Sequence, residues 1–143
     1  MFTVSFFGSK NIDEKTKNKL KKLIYNTITE EKNIEFLVTC DGDFDAIVLQ
    51  CLKEAKKELI YHAFYITCVL TSKSNNSSNE FSVFYDDANA TFQKDEKLQK
   101  AINIINRSCI CVFNLDDNSD YVQKALRYVK EIDKPYLNIS DWA

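Results

Sequence analysis

The chain reads as an α/β three-layer sandwich, a mostly parallel sheet of about five strands with helices on both faces. Three observations predict it. Short apolar runs rich in β formers alternate with longer stretches whose apolar residues recur at helical spacing. One run, Ser108 to Leu115, is almost continuously apolar, as a parallel strand covered on both faces has to be. Finally, the two glycines among 143 residues, Gly8 and Gly42, each follow a strand and precede a helix. Average usage is about 7% glycine, so those retained are expected where no Cβ fits or where φ is positive. Strand–helix alternation of this kind gives right-handed crossovers. Open α/β sheets hold ligands just outside the carboxyl ends of their strands, where both glycines fall.

The elements follow in order. Thr3 to Phe7 predicts the first strand, and Asn11 or Asp13 the cap of a helix carrying Leu20, Leu23, Ile24 and Ile28 on one face. Phe36-Leu37-Val38 leads to Gly42, after which Phe44, Ile47, Val48, Cys51, Leu52 and Ala55 repeat at helical spacing. Leu59 to Leu70 alternates and predicts a long strand; Thr71 to Glu80 is a polar Ser/Asn stretch that predicts a flexible loop. Phe81 to Tyr85 predicts a short extra strand. Leu98, Ala101, Ile102 and Ile105 place a stripe on a third helix ending near Arg107, and Ser108 to Leu115 is the next strand. Asn118 or Ser119 caps a last helix with Tyr121, Ala125, Tyr128, Val129 and Ile132 inward, and Pro135 to Ile139 supplies the final strand.

The length suits one domain spanning residues 1–143. A net charge of −2, from 19 basic and 21 acidic residues, offers no global attraction to nucleic acid. The chain turns polar at Ser9, and no apolar run reaches the roughly 18 residues of a membrane span, so a soluble, cytoplasmic protein with no membrane partner is expected. Five cysteines (Cys40, Cys51, Cys68, Cys109, Cys111) are odd in number, lie in apolar runs and lack C-x-x-C spacing or histidine partners. They read as reduced, mostly buried thiols, with no metal and no cofactor expected.

Phe6-Phe7-Gly8-Ser9-Lys10, Gly42-Asp43-Phe44-Asp45, Tyr85-Asp86-Asp87, Asn106-Arg107, and Lys124-Ala125-Leu126-Arg127-Tyr128 through Leu137-Asn138-Ile139 occur in a distinctive order. In that order the chain resembles small bacterial and prophage members of the SLOG superfamily. That group has a Rossmann-like fold and includes the Lonely Guy phosphoribohydrolases and sensor domains for nucleotide-derived signals. The resemblance implies binding of a nucleotide or nucleotide-derived small molecule, such as an NAD-derived cyclic messenger, by a sensor or sequestering protein in signalling or phage–host conflict. It implies that Gly8, Ser9 and Lys10 face a phosphate, that Gly42 permits close approach, and that Asp45 binds ribose hydroxyls. The departures bear on the pocket. Lys10 stands where relatives carry arginine, keeping the charge without the bidentate fork. Thr39, Asp120 and Tyr121 stand where relatives carry glycines that let backbone amides reach phosphate oxygens, so a reshaped or closed pocket is one expectation.

Catalysis is the lesser expectation, because nothing matches the Pro-Gly-Gly-x-Gly-Thr-x-x-Glu run of the phosphoribohydrolase branch. Asp41, Asp43 and Asp45 are the nearest carboxylates. One of them could bind a ribose hydroxyl, hold a cation or act as an acid/base group; equally, Asp41 or Asp43 caps the second helix. Arginine is scarce, so Arg107 stands out, either as a ligand residue or, at the opposite edge of the sheet, as a structural ion pair or helix C-cap. Arg127 reads as solvated or at an interface. Tyr85 could stack on a base or close the core. His62 reads as a packed or edge histidine in the third strand. The lysines from Lys15 to Lys22 form a solvated helix face. Trp142 is a candidate contact for a homo-oligomer.

Overall fold

The computed structural model describes residues 1–39, 42–70, 82–84, 96–116 and 119–141. In chain order these form β1 (Phe2–Phe7), α1 (Glu14–Glu30), β2 (Ile34–Thr39), α2 (Asp43–Glu58), β3 (Phe64–Leu70), β4 (Ser82–Phe84), α3 (Glu96–Arg107), β5 (Ile110–Phe113), α4 (Asp120–Glu131), β6 (Tyr136–Asn138) and a final turn of 3₁₀ helix, Ile139–Asp141. The sheet has six strands in the order β4-β3-β2-β1-β5-β6, and every pairing is parallel. This is the Rossmann-like three-layer α/β arrangement. The sixth strand is the short β4 at the edge.

Alternation of side chains along each strand builds two cores. Val4, Phe6, Phe36, Val38, Phe64, Ile66 and Val112 face Leu20, Leu23 and Ile24 of α1 and Val48, Cys51 and Leu52 of α2. On the opposite face Phe7, Leu37, Val69, Cys111 and Phe113 meet Ala101, Ile104 and Ile105 of α3 and Val122, Ala125 and Val129 of α4. The second face is polar at the amino-terminal half of its strands, where Thr3, Ser5, Glu35 and Thr67 are buried.

Local chemistry fixes the helix starts. The Asp13 carboxylate accepts the backbone N–H of Thr16 at 2.8 Å, and Ser119 Oγ accepts that of Val122. That hydrogen bond holds the Asp13 carboxyl below its usual pKa. At α2 the cap is Gly42, which has no side chain to accept a bond; Asp43 is the first helical residue, where its charge favours the helix terminus without capping it.

Two sequence expectations change. The third strand begins at Phe64 rather than Leu59, because α2 runs to Glu58 and residues 59–63 carry the chain back to the sheet's amino-terminal edge. Tyr61 is consequently 94% exposed, and His62 lies in that exposed turn instead of in a strand. Of the cysteines, Cys51 and Cys111 are buried and Cys109 is exposed. Burial pushes the thiols of Cys51 and Cys111 upward in pKa, away from the reactive thiolate form. Among the described residues no helix is long and apolar enough to cross a membrane, and no three His, Cys, Asp or Glu side chains cluster as metal ligands would.

Candidate functional site

Strand β1 leads through α1 to β2 on one side and pairs with β5 on the other, so the chain's direction of progression reverses between β1 and β5. Loops leaving adjacent strands on either side of such a reversal diverge, and a crevice opens at their carboxyl ends. Here the loop after β1 supplies Lys10, Asn11, Ile12 and Asp13, the first turn of α1 adds Thr16, and the end of β5 adds Asn114 and Asp116. Together they line a small open recess of about 180 Å³, below the roughly 300–1,000 Å³ of pockets that enclose a drug-sized ligand, so it suits one moiety of a larger ligand.

Hydrogen bonds set the two loops against each other. The Asn114 N–H donates to the Phe7 carbonyl at 2.9 Å, extending the ladder one residue beyond β5. Ser9 Oγ lies 3.1 Å from Ser119 Oγ, which joins the β1 loop to the cap of α4. The Leu115 N–H donates to Asn138 Oδ1 at 3.1 Å, so β6 supports the β5 loop from the far side.

Both glycines sit at this edge. A Cβ on Gly8 would lie 2.6 Å from Cγ and 2.7 Å from Cδ2 of the Phe44 ring. Gly8 is therefore required for the approach of α2 to β1, and no described glycine has positive φ. Gly42, with φ −165°, is extended backbone open to any residue; a Cβ there would lie 3.4 Å from the Ser9 carbonyl oxygen. Gly8 thus permits the close packing of α2 on β1, whereas neither the conformation of Gly42 nor its contact with the β1 loop requires a glycine.

Gly8, Ser9, Lys10 and Gly42 converge on the carboxyl edge of the sheet, and of these Lys10 lines the recess. Asp43 is exposed on the first turn of α2. Asp45 is buried, and its Oδ2 accepts the Thr39 hydroxyl at 2.5 Å, tying the end of β2 to α2. Thr39, expected to obstruct the pocket, therefore acts on Asp45. Asp120 turns outward to pair with Lys124 at 3.1 Å, and Tyr121 packs against the α3/α4 core; neither lines the recess. Asp41, Tyr85 and Trp142 lie outside the described residues.

Arg107 is not brought to this crevice. It ends α3 at the amino-terminal edge of the sheet, and its Nη2 donates to both carboxylate oxygens of Glu35, at 2.8 and 2.9 Å. Thr67 Oγ1 adds a bond to Glu35 Oε2 at 2.7 Å. Of the two readings of Arg107, the geometry contains the structural ion pair.

Sequence reasoning passed over Asn114, which it absorbed into an apolar strand. Its signal was an amide side chain at the carboxyl end of that run. No known family model and no curated protein matches the chain.

Proposed function

We propose that this protein is a SLOG-type domain that binds a nucleotide or nucleotide-derived small molecule in the recess between the β1 and β5 loops, without turnover. It serves as a sensor or sequestering protein, and an NAD-derived cyclic messenger is within the ligand class. The observation that carries the reading is the recess at the β1/β5 reversal with Lys10 on its rim. The motif resemblance supports the ligand class. In this reading Lys10 meets a phosphate, Ser9 and Gly42 shape the loop beside it, and Asp45 supports the β2 loop through Thr39, since its burial keeps it from solvent.

The test is a thermal-shift screen with mononucleotides, NAD, ADP-ribose and its cyclic isomers, followed by chromatography of the recovered ligand. A ligand at 100 times its Kd adds about 2.7 kcal/mol of stability. A shift with ligand returned intact is the expected result. Release of free base would replace the reading with an N-glycosidase, and no shift across the panel would replace it with a protein-interaction module. Lys10→Ala should weaken the binding by about 1.5–3 kcal/mol, as for a hydrogen bond to a charged group; unchanged affinity in a titration would remove Lys10 from the site.

A further inference from the structure

Asn114 is 4% exposed and lines the recess. Its backbone N–H is bonded to Phe7, but among the described residues its side-chain amide has no hydrogen-bond partner. Buried polar side chains in native structures are almost always paired, and a carboxamide has two N–H donors and an oxygen acceptor to satisfy. One with no partner among the described residues, at the wall of an open recess, is a group held ready for a partner that enters from outside.

The neighbours restrict that partner. Asp13 spends one carboxylate oxygen on the Thr16 N–H, at the start of a helix of 17 residues. Asp116 is exposed across from it, and among the described residues Lys10 is the only basic side chain lining the recess. One cation against two carboxylates disfavours a polyanion such as a triphosphate. It favours a ligand with one phosphate near Lys10 and neutral hydroxyl groups deeper in. A hydroxyl both donates and accepts, so it can give its proton to a carboxylate or to the amide oxygen while accepting from the amide N–H.

We infer that Asn114, with Asp116, recognises the hydroxyl groups of a pentose phosphate moiety in this recess, so that the site distinguishes ribose from deoxyribose. This rests on the proposed nucleotide reading and names the part of the ligand that the recess selects.

The experiment is calorimetric titration of the full chain and of Asn114→Leu with AMP, ADP-ribose and ribose 5-phosphate, each beside its 2′-deoxy counterpart where one exists. The wild type is expected to prefer the ribose form by about tenfold or more, the scale of a lost hydrogen bond to a buried group. Asn114→Leu is expected to lose that preference while melting no lower than the wild type, because a buried amide without a partner is exchanged for an apolar side chain of similar size. A merely structural asparagine would show the reverse: lower melting and unchanged discrimination. Equal binding of ribose and deoxyribose forms by the wild type overturns the inference and leaves nucleotide binding standing. Selective binding of ribose 5-phosphate without either nucleotide upholds the inference and overturns the nucleotide reading. No binding by any of them at millimolar concentration overturns both. If the leucine variant does not fold, the ¹⁵N–¹H signals of the Asn114 side-chain amide decide: they move on adding ribose 5-phosphate if the inference holds, and stay fixed if it does not.

Discussion

Replacing Gly8 by alanine tests the account of this site most directly, because the structure assigns the glycine to packing before any ligand is present. The added Cβ meets two Phe44 ring atoms at 2.6 and 2.7 Å and a third at 3.0 Å, roughly 1 Å inside the usual carbon–carbon separation of about 3.5–4.0 Å. Phe44 is fully buried beneath the first turn of α2 and is not the free end of a flexible chain. Overpacking of this kind costs about 1–3 kcal/mol, and two sub-3 Å contacts place it near the top of that range. Gly8 has no positive φ to preserve, so alanine returns about 0.4–1 kcal/mol by restricting the unfolded chain. The net expectation is a loss of about 2 kcal/mol, or a Tm lowered by roughly 8 °C at about 4 °C per kcal/mol for a chain of this size. Urea denaturation without ligand measures it. Phe44→Ala, which removes all three of those ring atoms and costs about 3–5 kcal/mol alone, should absorb the clash, so the double variant should be about as stable as Phe44→Ala. Additive losses, or a Gly8→Ala protein as stable as the wild type, would refute the steric reasoning and return the glycine to a direct role at the ligand.

Three further outcomes are expected. Arg107→Ala strips the guanidinium from a nearly buried Glu35 and should cost about 3 kcal/mol in urea denaturation, the lower end for breaking a buried pair because the arginine itself is partly exposed; nucleotide affinity should not change. Thr39→Val removes the hydroxyl from the buried Asp45 carboxylate and should cost about 1.5–3 kcal/mol by the same measurement. Burial, with the hydrogen bond from its hydroxyl to Glu58, pushes Tyr25 up to about 12. The unfolded chain would ionise this phenol near 10, so its contribution to stability is complete below pH 10 and is lost as pH rises from 10 through 12. Absorbance titration of the wild type minus Tyr25→Phe should show one late-ionising phenol; a difference curve centred at 10 would contradict the contact.

Helices and strands were legible in the sequence because apolar periodicity and capping chemistry are local: Asp13 and Ser119 were each one of two named caps, and Ala101 and Ile105 fell on the buried stripe of α3. The third strand's start was not legible. The alternation of Tyr61, Ala63 and Tyr65 against His62 and Phe64 fits a strand, but the distance the chain must cover after α2 is a property of the whole fold. Arg107 was conspicuous by scarcity, yet its partner Glu35 lies 72 positions away and could be found only once β2 and the end of α3 were neighbours in space. The site divides in the same way. Its edge of the sheet followed from Gly8 and Gly42, whereas Asn114 emerged only when β5 was paired with β1 and its amide was seen to lack a described partner.

The pairing of β1 with β5 also governs how the chain can be made. Phe7 is synthesised early but stacks on Phe113 at a ring separation of 5.1 Å, and Ser5 waits for Cys111, 106 positions later. At about 5–20 residues per second on the ribosome, the first strand spends roughly 4–15 s with β2 on one side and an unpaired apolar edge on the other. The half-chain through β3 is therefore the species most open to unwanted strand addition, and the lysine-rich face of α1 emerges in time to keep that intermediate charged.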